Sequence, residues 1–242
     1  MDLELSLFAS LRERAGKGRV RLEGLPEELD VAGLKREVAQ RIPELGELDH
    51  VSCVVGTDYV LDEHRLKAGD EVAFLPPVSG GSGGPDSSAA DYESGVFELH
   101  ETRLDEEVCR KRVAHASCGA ITVFSGNARE WNRGSQVTWL EYEAFDVMTG
   151  PEMKRIFARC IEECRPSEEE SGGSPRVLRM LVQHRVGKVP IGEPAVVIAV
   201  ASPHRDKSFV ACRFLIDELK KTLPVWKKEF YADGAHWIGD RS

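Results

Sequence analysis

The stretch FLPPVSGGSGGPDSSAADYES, Phe74 to Ser94, decides the architecture. An apolar run ends in Pro76-Pro77, the pair Gly80-Gly81 follows, and then come residues that build no core. Segments rich in Gly, Ser, Ala and Asp bury too little surface to offset the entropy of ordering, so they stay flexible. The composition therefore predicts one domain over 1–81, a flexible linker over 82–95, and a second domain over 96–242. Two readings of Gly80-Gly81 stand side by side. The pair either starts the linker or is a chemical tail that sits in mid-chain.

The totals agree with two domains. A chain of 242 residues, 41% of them apolar, has material for two cores. Its net charge of −9 speaks against a general nucleic-acid binder, which is usually basic. Residues 1–81 hold 10 Lys+Arg against 16 Asp+Glu, a net of −6, and the remainder carries the other −3. An acidic small domain is thus tethered to a larger, more balanced one. No apolar run reaches the ~20 residues of a membrane helix. The opening MDLELSLFASLRERAG is acidic and alternating, unlike a signal peptide, so a cytoplasmic protein is expected. The six cysteines, at 53, 109, 118, 160, 164 and 212, form no C-x-x-C pair, so zinc ribbons and thioredoxin-like chemistry lack support. Cys160 and Cys164, four apart on an expected helix, read as small core residues with reduced thiols.

Working back from the seam, LELSLFAS alternates Leu3, Leu5 and Leu7 with polar neighbours and predicts a strand; GRVRLEG predicts another. In LDVAGLKREVAQRIPEL, Val31, Leu34, Val38 and Ile42 recur every three to four residues, which is one helix face, and Asp30 is a suitable N-cap. VSCVVG and DEVAFLPP predict further strands, joined by the turn-rich TDYVLDEHRLKAGD. A mixed sheet around one helix in about 80 residues describes a β-grasp.

Forward of the seam, GAITVFSG predicts a strand, and QVTWLEYEAF has period-two patterning that puts Val137 and Trp139 on one face and Leu140 and Tyr142 on the other. PEMKRIFARCIEEC predicts a helix with Pro151 in its first turn and Met153, Ile156, Phe157, Cys160 and Cys164 along one side. EEESGGSP predicts a polar loop. RVLRMLVQHRVG and PAVVIAVAS predict strands, the second continuous enough to be buried on both faces. SFVACRFLIDELKKTLP predicts a helix with Phe209, Cys212, Ile216, Leu219 and Leu223 as its stripe, stopped by Pro224.

Two stretches suit chemistry. His204 and Arg205 lie where a buried strand ends and a helix begins, a place where backbone N–H groups favour an anion. Lys220 sits near the far end of that helix, and Lys227 and Lys228 follow Trp226. From Arg205 to Lys228 seven Lys/Arg face Asp206, Asp217 and Glu218. Helix C-termini attract lysines in any case, so this pattern also fits a solvated helix end. In FSGNAREWNRGSQV, Gly126, Arg129 and Gly134 are expected in a loop between strands, where Arg129 suits phosphate or carboxylate. The same stretch also fits an ordinary hairpin turn. No H-E-x-x-H occurs. SGGSGG lacks the Lys-Ser/Thr and the helix of a P-loop. No metal site is expected.

At GDEVAFLPPVSGG the chain resembles the small, ubiquitin-like sulfur-carrier subunit of the molybdopterin synthase family, which ends in Gly-Gly. FSGNAREWNRG, LEYEAF, HRVGKVPIGEPAVVIAVASPHRDKSF and LKKTLPVWKKE resemble the family's large, catalytic subunit. Together the resemblances cover nearly the whole chain apart from the linker. They imply an α+β protein: a β-grasp, a linker and an α/β hammerhead-type domain. They imply insertion of two sulfurs into cyclic pyranopterin monophosphate to form the dithiolene of molybdopterin. The carrier's last glycine, here Gly81, is implied to be adenylated by a separate activating enzyme and to carry sulfur as a thiocarboxylate, with no tightly bound cofactor. The tail is then implied to thread into a pocket of the large subunit. Arg129, His204 and Arg205 fall on positions tied to substrate binding, and Lys220 and Lys227 on positions tied to catalysis. The family pattern also implies a homodimer through the large-subunit domain. Ala128 stands where the family more often has a larger aliphatic residue.

The fusion is the main departure. Gly81 is amide-bonded to Ser82, so it has no carboxylate to adenylate until that bond is cut. The expectation is cleavage after Gly81 by a processing protease. The alternatives are an inert fused carrier served by a separate one, or lost activity. From another class, a ubiquitin-like adaptor or protein-modifier fusion would use the basic cluster to bind an acidic partner.

Overall fold

Alternation and helical periodicity lay out the chain much as they do in the sequence, with particular exceptions. Residues 1–76, 91–132, 134–171, 173 and 175–238 are described in a computed structural model of the protein. Gly80 and Gly81, with most of the expected linker, lie outside the described residues. The chain divides into two compact units, with the boundary falling between Val78 and Ser79.

The first unit runs β1 (Leu3–Leu7), α1 (Ala9–Ala15), β2 (Arg19–Leu22), β3 (Leu29–Asp30), α2 (Val31–Arg41), β4 (Ser52–Val55), β5 (Asp58–Val60), β6 (Arg65–Leu66) and β7 (Glu71–Leu75). Its five-stranded sheet has the order β2-β1-β7-β4-β5. The central β1/β7 pair is parallel and the others are antiparallel. The alternation of β1 buries Leu3, Leu5 and Leu7 beside Leu34 and Val38 of α2. The Asp30 side chain caps α2 by accepting from the Gly33 N–H at 2.7 Å. This is the expected ubiquitin-like fold, with one addition. The first strand stops at Leu7, and the good helix formers of LRERA continue as α1, which ends on Gly16 at φ 67°.

The second unit runs β8 (Val96–His100), α3 (Glu106–Val113), β9 (Ala120–Asn127), β10 (Trp131–Asn132), β11 (Ser135–Ala144), α4 (Asp146–Cys164), α5 (Glu168–Ser171), β12 (Arg179–Arg185), β13 (Gly187–Pro190), β14 (Pro194–Ser202), α6 (Arg205–Thr222), β15 (Val225–Tyr231) and β16 (Gly234–Ile238). One sheet has the order β8-β12-β14-β9. Strand β14 is buried along its whole length, as its unbroken apolar run requires. Val196, Ile198 and Val200 point into the core made with α4 and α6, while Val197, Ala199 and Ala201 point into the core made with α3. A second sheet has the order β10-β11-β15-β16, with β13 also paired to β11. Among the described residues, no helix is long and apolar enough to cross a membrane.

Several expectations need correction. A register shift between Val137 and Trp139 interrupts the alternation of β11, so Val137 and Leu140 share one buried cluster with Ala128, Val189 and Ala195. Helix α4 starts at Asp146, so Pro151 is inside it and not in its first turn. The bond that Pro151 forgoes falls on Val147, an exposed residue. Phe209 is not in the buried stripe of α6. It is 59% exposed, while Cys212, Ile216, Leu219 and Leu223 are buried as expected. The acidic segment expected as a loop begins with the one-turn helix α5.

The expected linker also ends earlier than Gly95. Met180 N–H donates to the Tyr92 carbonyl at 2.8 Å, and Arg112 Nε donates to the Tyr92 hydroxyl at 2.9 Å. Glu93 pairs with Arg165 at 2.9 Å. Gly95 sits at φ +90°, and a Cβ there would lie 2.3 Å from Phe157 Cγ. Residues 91–95 therefore belong to the second unit.

Candidate active site

Strand β15 presents Lys227, Glu229 and Tyr231 at alternate positions, and so on one face. Across the ladder Tyr142 on β11 lies opposite Lys227, and Leu140 lies opposite Glu229. On the other side His236 of β16 lies opposite Glu229. Glu229 is the hub. Its Oε1 takes Lys227 Nζ at 2.8 Å, and its Oε2 accepts from Asn132 Nδ2 at 2.7 Å and from the Tyr231 hydroxyl. Burial alone would raise this carboxyl's pKa, but the three donors outweigh it and hold the group below the ordinary range.

Asn132 reaches Glu229 because it stands at the end of a tight hairpin. Trp131 and Asn132 pair with Gln136 and Ser135, and Gly134 takes φ +84°, a conformation that favours glycine. The same Asn132 accepts from Arg129 Nη2 through its Oδ1, at 3.0 Å. Arg129 is exposed. Arg129 and Lys227, nominated from distant stretches, thus belong to one hydrogen-bonded series.

Gly126 is not part of this loop. It lies inside β9, and a Cβ there would stand 2.7 Å from Val196 Cγ1, so its smallness serves strand packing. Ala128 is buried and exchanges backbone hydrogen bonds with Glu193 and Gly192 at 2.9 and 2.7 Å, which fixes the start of the loop carrying Arg129.

Tyr142 and His184 complete the apolar side of the face. Their rings meet edge-on at 5.0 Å. Burial pushes the Tyr142 hydroxyl up, with Glu229 adding to the shift. Burial lowers His184 to about 4, so its ring is neutral near pH 7. The five buried cysteines are core residues, and burial pushes the thiols of Cys53 and Cys109 up to about 12.

The remaining nominated residues lie elsewhere. His204 is the N-cap residue of α6, its side chain makes no capping bond, and Arg205 beside it is exposed. Lys220 is exposed in the last turn of the same helix, three residues before Leu223, from which Leu223-Pro224 lead into β15. At ~1.5 Å per residue the helix holds Arg205 and Lys220 roughly 22 Å apart. One copy of the chain therefore does not gather His204 and Arg205 with Lys220 around a single small ligand. Glu229, Asn132, Tyr231 and Tyr142 were not anticipated. The signal for the first was Lys-x-Glu-x-Tyr over residues 227–231, which a strand reading would have put on one face.

The family model described as "MoaE protein" matches residues 99–222, and that of the "ThiS family" matches residues 5–81. The chain is 41% identical over 145 residues to the molybdopterin synthase catalytic subunit of Bacillus subtilis, covering 60% of this chain and 85% of that one. It is 48% identical over 122 residues to molybdopterin synthase catalytic subunit 1 of Aedes aegypti, covering 50% of this chain and 72% of that one. Among solved structures, molybdopterin synthase from Staphylococcus aureus superposes with a TM-score of 0.52 at 32% identity, covering 60% of this chain and 97% of that one.

Proposed function

We infer the function from the premise that this chain belongs to the MoaE protein family and carries a ThiS-family unit ahead of the MoaE unit. It is a molybdopterin synthase, with a role in molybdenum cofactor biosynthesis. The finer reading is that it transfers two sulfurs, one from each of two successive Gly81 thiocarboxylates, to cyclic pyranopterin monophosphate. The observation that carries this reading is the series Arg129–Asn132–Glu229–Lys227.

The chemistry suits those groups. The exposed guanidinium of Arg129 is a fork for the phosphate. In each round the thiocarboxylate sulfur bonds to a side-chain carbon of the pterin as an oxygen leaves that carbon, as water from a hydroxyl or as phosphate oxygen from the cyclic ester. Water then cleaves the acyl–sulfur bond, which returns the Gly81 carboxylate and leaves the thiol on the substrate. Lys227, held on Glu229, supplies a proton or stabilises negative charge at the departing oxygen. Lys220, at the helix end that feeds into β15, is the second candidate for that role or for transient acylation by the tail.

His204 and Arg205 join the site from a second copy. Strand β9 pairs only with β14 among the described residues, which leaves its other edge open. Ala120, at its start, pairs with Ser202, and Gly119 N–H donates to the Pro203 carbonyl, beside His204. Arg129 follows just past its other end. Antiparallel pairing of two β9 edges about a two-fold axis sets His204 and Arg205 of one copy beside Arg129 of the other. The exposed Phe209 and the groove of about 380 Å³ between α6 and β9 would be covered by the same contact.

The Gly81–Ser82 bond must be cut before activation, which requires a processing protease and then an adenylating enzyme. Intact-mass measurement on protein from the native host should find a fragment ending at Gly81, or that fragment with one oxygen replaced by sulfur. The direct test supplies the chain with separately prepared thiocarboxylated 1–81 carrier and the pyranopterin. Dithiolene should form, and Arg129→Ala and Lys227→Ala should each suppress it. A chain that makes none under these conditions overturns the reading.

A further inference from the structure

Asn132 bonds both Arg129 and Glu229. Its amide sits between the two nominated side chains with one orientation that satisfies both neighbours. The carbonyl Oδ1 faces the Arg129 guanidinium, which only donates, and the Nδ2 group faces the Glu229 carboxylate, which accepts. The reversed amide would set N–H against N–H and oxygen against oxygen. The bonds to Asn132 span 3 residues on one side and 97 on the other, so this amide ties the loop after β9 to the middle of β15.

We propose that Asn132 is a positioning residue that couples anion binding at Arg129 to the hold of Glu229 on Lys227. The proposal rests on the reading of Arg129 and Lys227 given above. An anion that draws Arg129 toward itself turns or releases the Asn132 amide. Glu229 then loses one of its three donors, its remaining charge is directed more strongly at Lys227, and the ammonium is held in place as the substrate arrives. By linkage the effect is reciprocal: whatever strengthens the Asn132–Glu229 bond alters anion affinity at Arg129 by the same factor. The groups that face Glu229 are Lys227 and Tyr231 on its own strand, Leu140 and Tyr142 on β11, His236 on β16, and Asn132 with Arg129 behind it. Removal of Asn132 takes away the donor that stands next to Arg129 and leaves the Lys227 and Tyr231 bonds in place.

The test has a readout that needs no turnover. In the full chain, the Glu229 carboxyl is titrated by carbon NMR, with and without inorganic phosphate. Asn132→Ala should move its midpoint upward, and phosphate should shift the midpoint in the wild type and not in the variant. Asn132→Asp keeps the size and turn preference of the residue, accepts from Arg129 and cannot donate to Glu229, so it should move the midpoint the same way even if the alanine variant folds poorly. Turnover with thiocarboxylated carrier gives a second readout, through the way Arg129→Ala acts with and without Asn132. Arg129→Ala should lower kcat in the wild type, and in the Asn132→Ala background it should change KM alone. An unmoved Glu229 midpoint in both variants, or an equal kcat effect of Arg129→Ala in the two backgrounds, overturns the proposal. Failure of the wild-type chain to form dithiolene overturns the functional reading instead, and the titration still decides the role of Asn132.

Discussion

Lys227 rests its ammonium 2.8 Å from the carboxylate of Glu229, two residues along the same strand, and the acid is the more enclosed partner: 3% of its side chain is exposed, against 25% for the lysine. A carboxylate so enclosed persists as an anion because three donors converge on it, and removal of its charge leaves those donors without their acceptor.

Glu229→Gln is therefore expected to separate charge from shape. The amide keeps the volume and can still accept at one atom, so the unit should fold with a stability loss of about 1–3 kcal/mol. Dithiolene formation should fall by roughly 10- to 100-fold, since a hydrogen bond to a charged group is removed from Lys227. Thermal unfolding and single-turnover assays on the same preparation check both halves.

Acid should weaken the second unit in two stages. Burial holds His184 near 4, below its unfolded value of about 6.5, so stability present above pH ~6.5 is lost as the pH falls toward 4. Glu98, hydrogen-bonded to both terminal nitrogens of Arg112 and to Gln183, is held at about 2. The Arg112 bonds are the main cause, and they outweigh the opposing effect of burial. Its contribution, on the order of 1–3 kcal/mol, is present above the unfolded carboxyl value of about 4.3 and is lost as the pH falls through 2. Denaturant titrations from pH 7 to 2 should show both declines. Glu98→Gln should flatten the lower one and leave the upper one in place.

Gly95→Ala should destabilise the second unit by more than about 2 kcal/mol. The new methyl meets the Phe157 ring at 2.3 Å, and the backbone is held at φ +90°. A melting temperature within 2 °C of the wild type, on the scale by which ~1 kcal/mol shifts such domains by a few degrees, would show that the strap of residues 91–95 moves aside freely.

A site shared between copies predicts complementation. The double variant His204→Ala/Arg205→Ala and the variant Lys227→Ala should each be inactive alone. Random mixing gives half heterodimers with one intact site of two, and so about a quarter of wild-type activity. Phe209→Asp should lower self-association in sedimentation and lower activity in parallel. No recovery on mixing, with dimers present, places all the required groups within one copy.

The features legible in the sequence are those set by near neighbours. Alternation placed Leu3, Leu5 and Leu7 in one core. Helical spacing placed Leu34 and Val38 beside them, and Met153, Ile156, Phe157 and Cys160 in another. The unbroken run of β14 showed that both its faces are covered. Where a local irregularity intervenes, the same rule fails: one register shift in β11 moves Val137 to the side of Leu140. The stripe read along α6 likewise extends one turn too far, because burial of Phe209 depends on what lies opposite that turn.

The amino-acid order by itself determined two domains, their fold class and the chemical types available, because strand and helix periods are properties of adjacent residues. Only the tertiary structure decided which of those groups meet. Asn132 and Glu229 are 97 residues apart, and strand pairing brings them to 2.7 Å. Arg205 and Lys220 are close in sequence, and a rigid helix keeps them apart. Spatial neighbourhood follows hydrogen-bonded register and helix rise, which the separation of residues along the chain does not record.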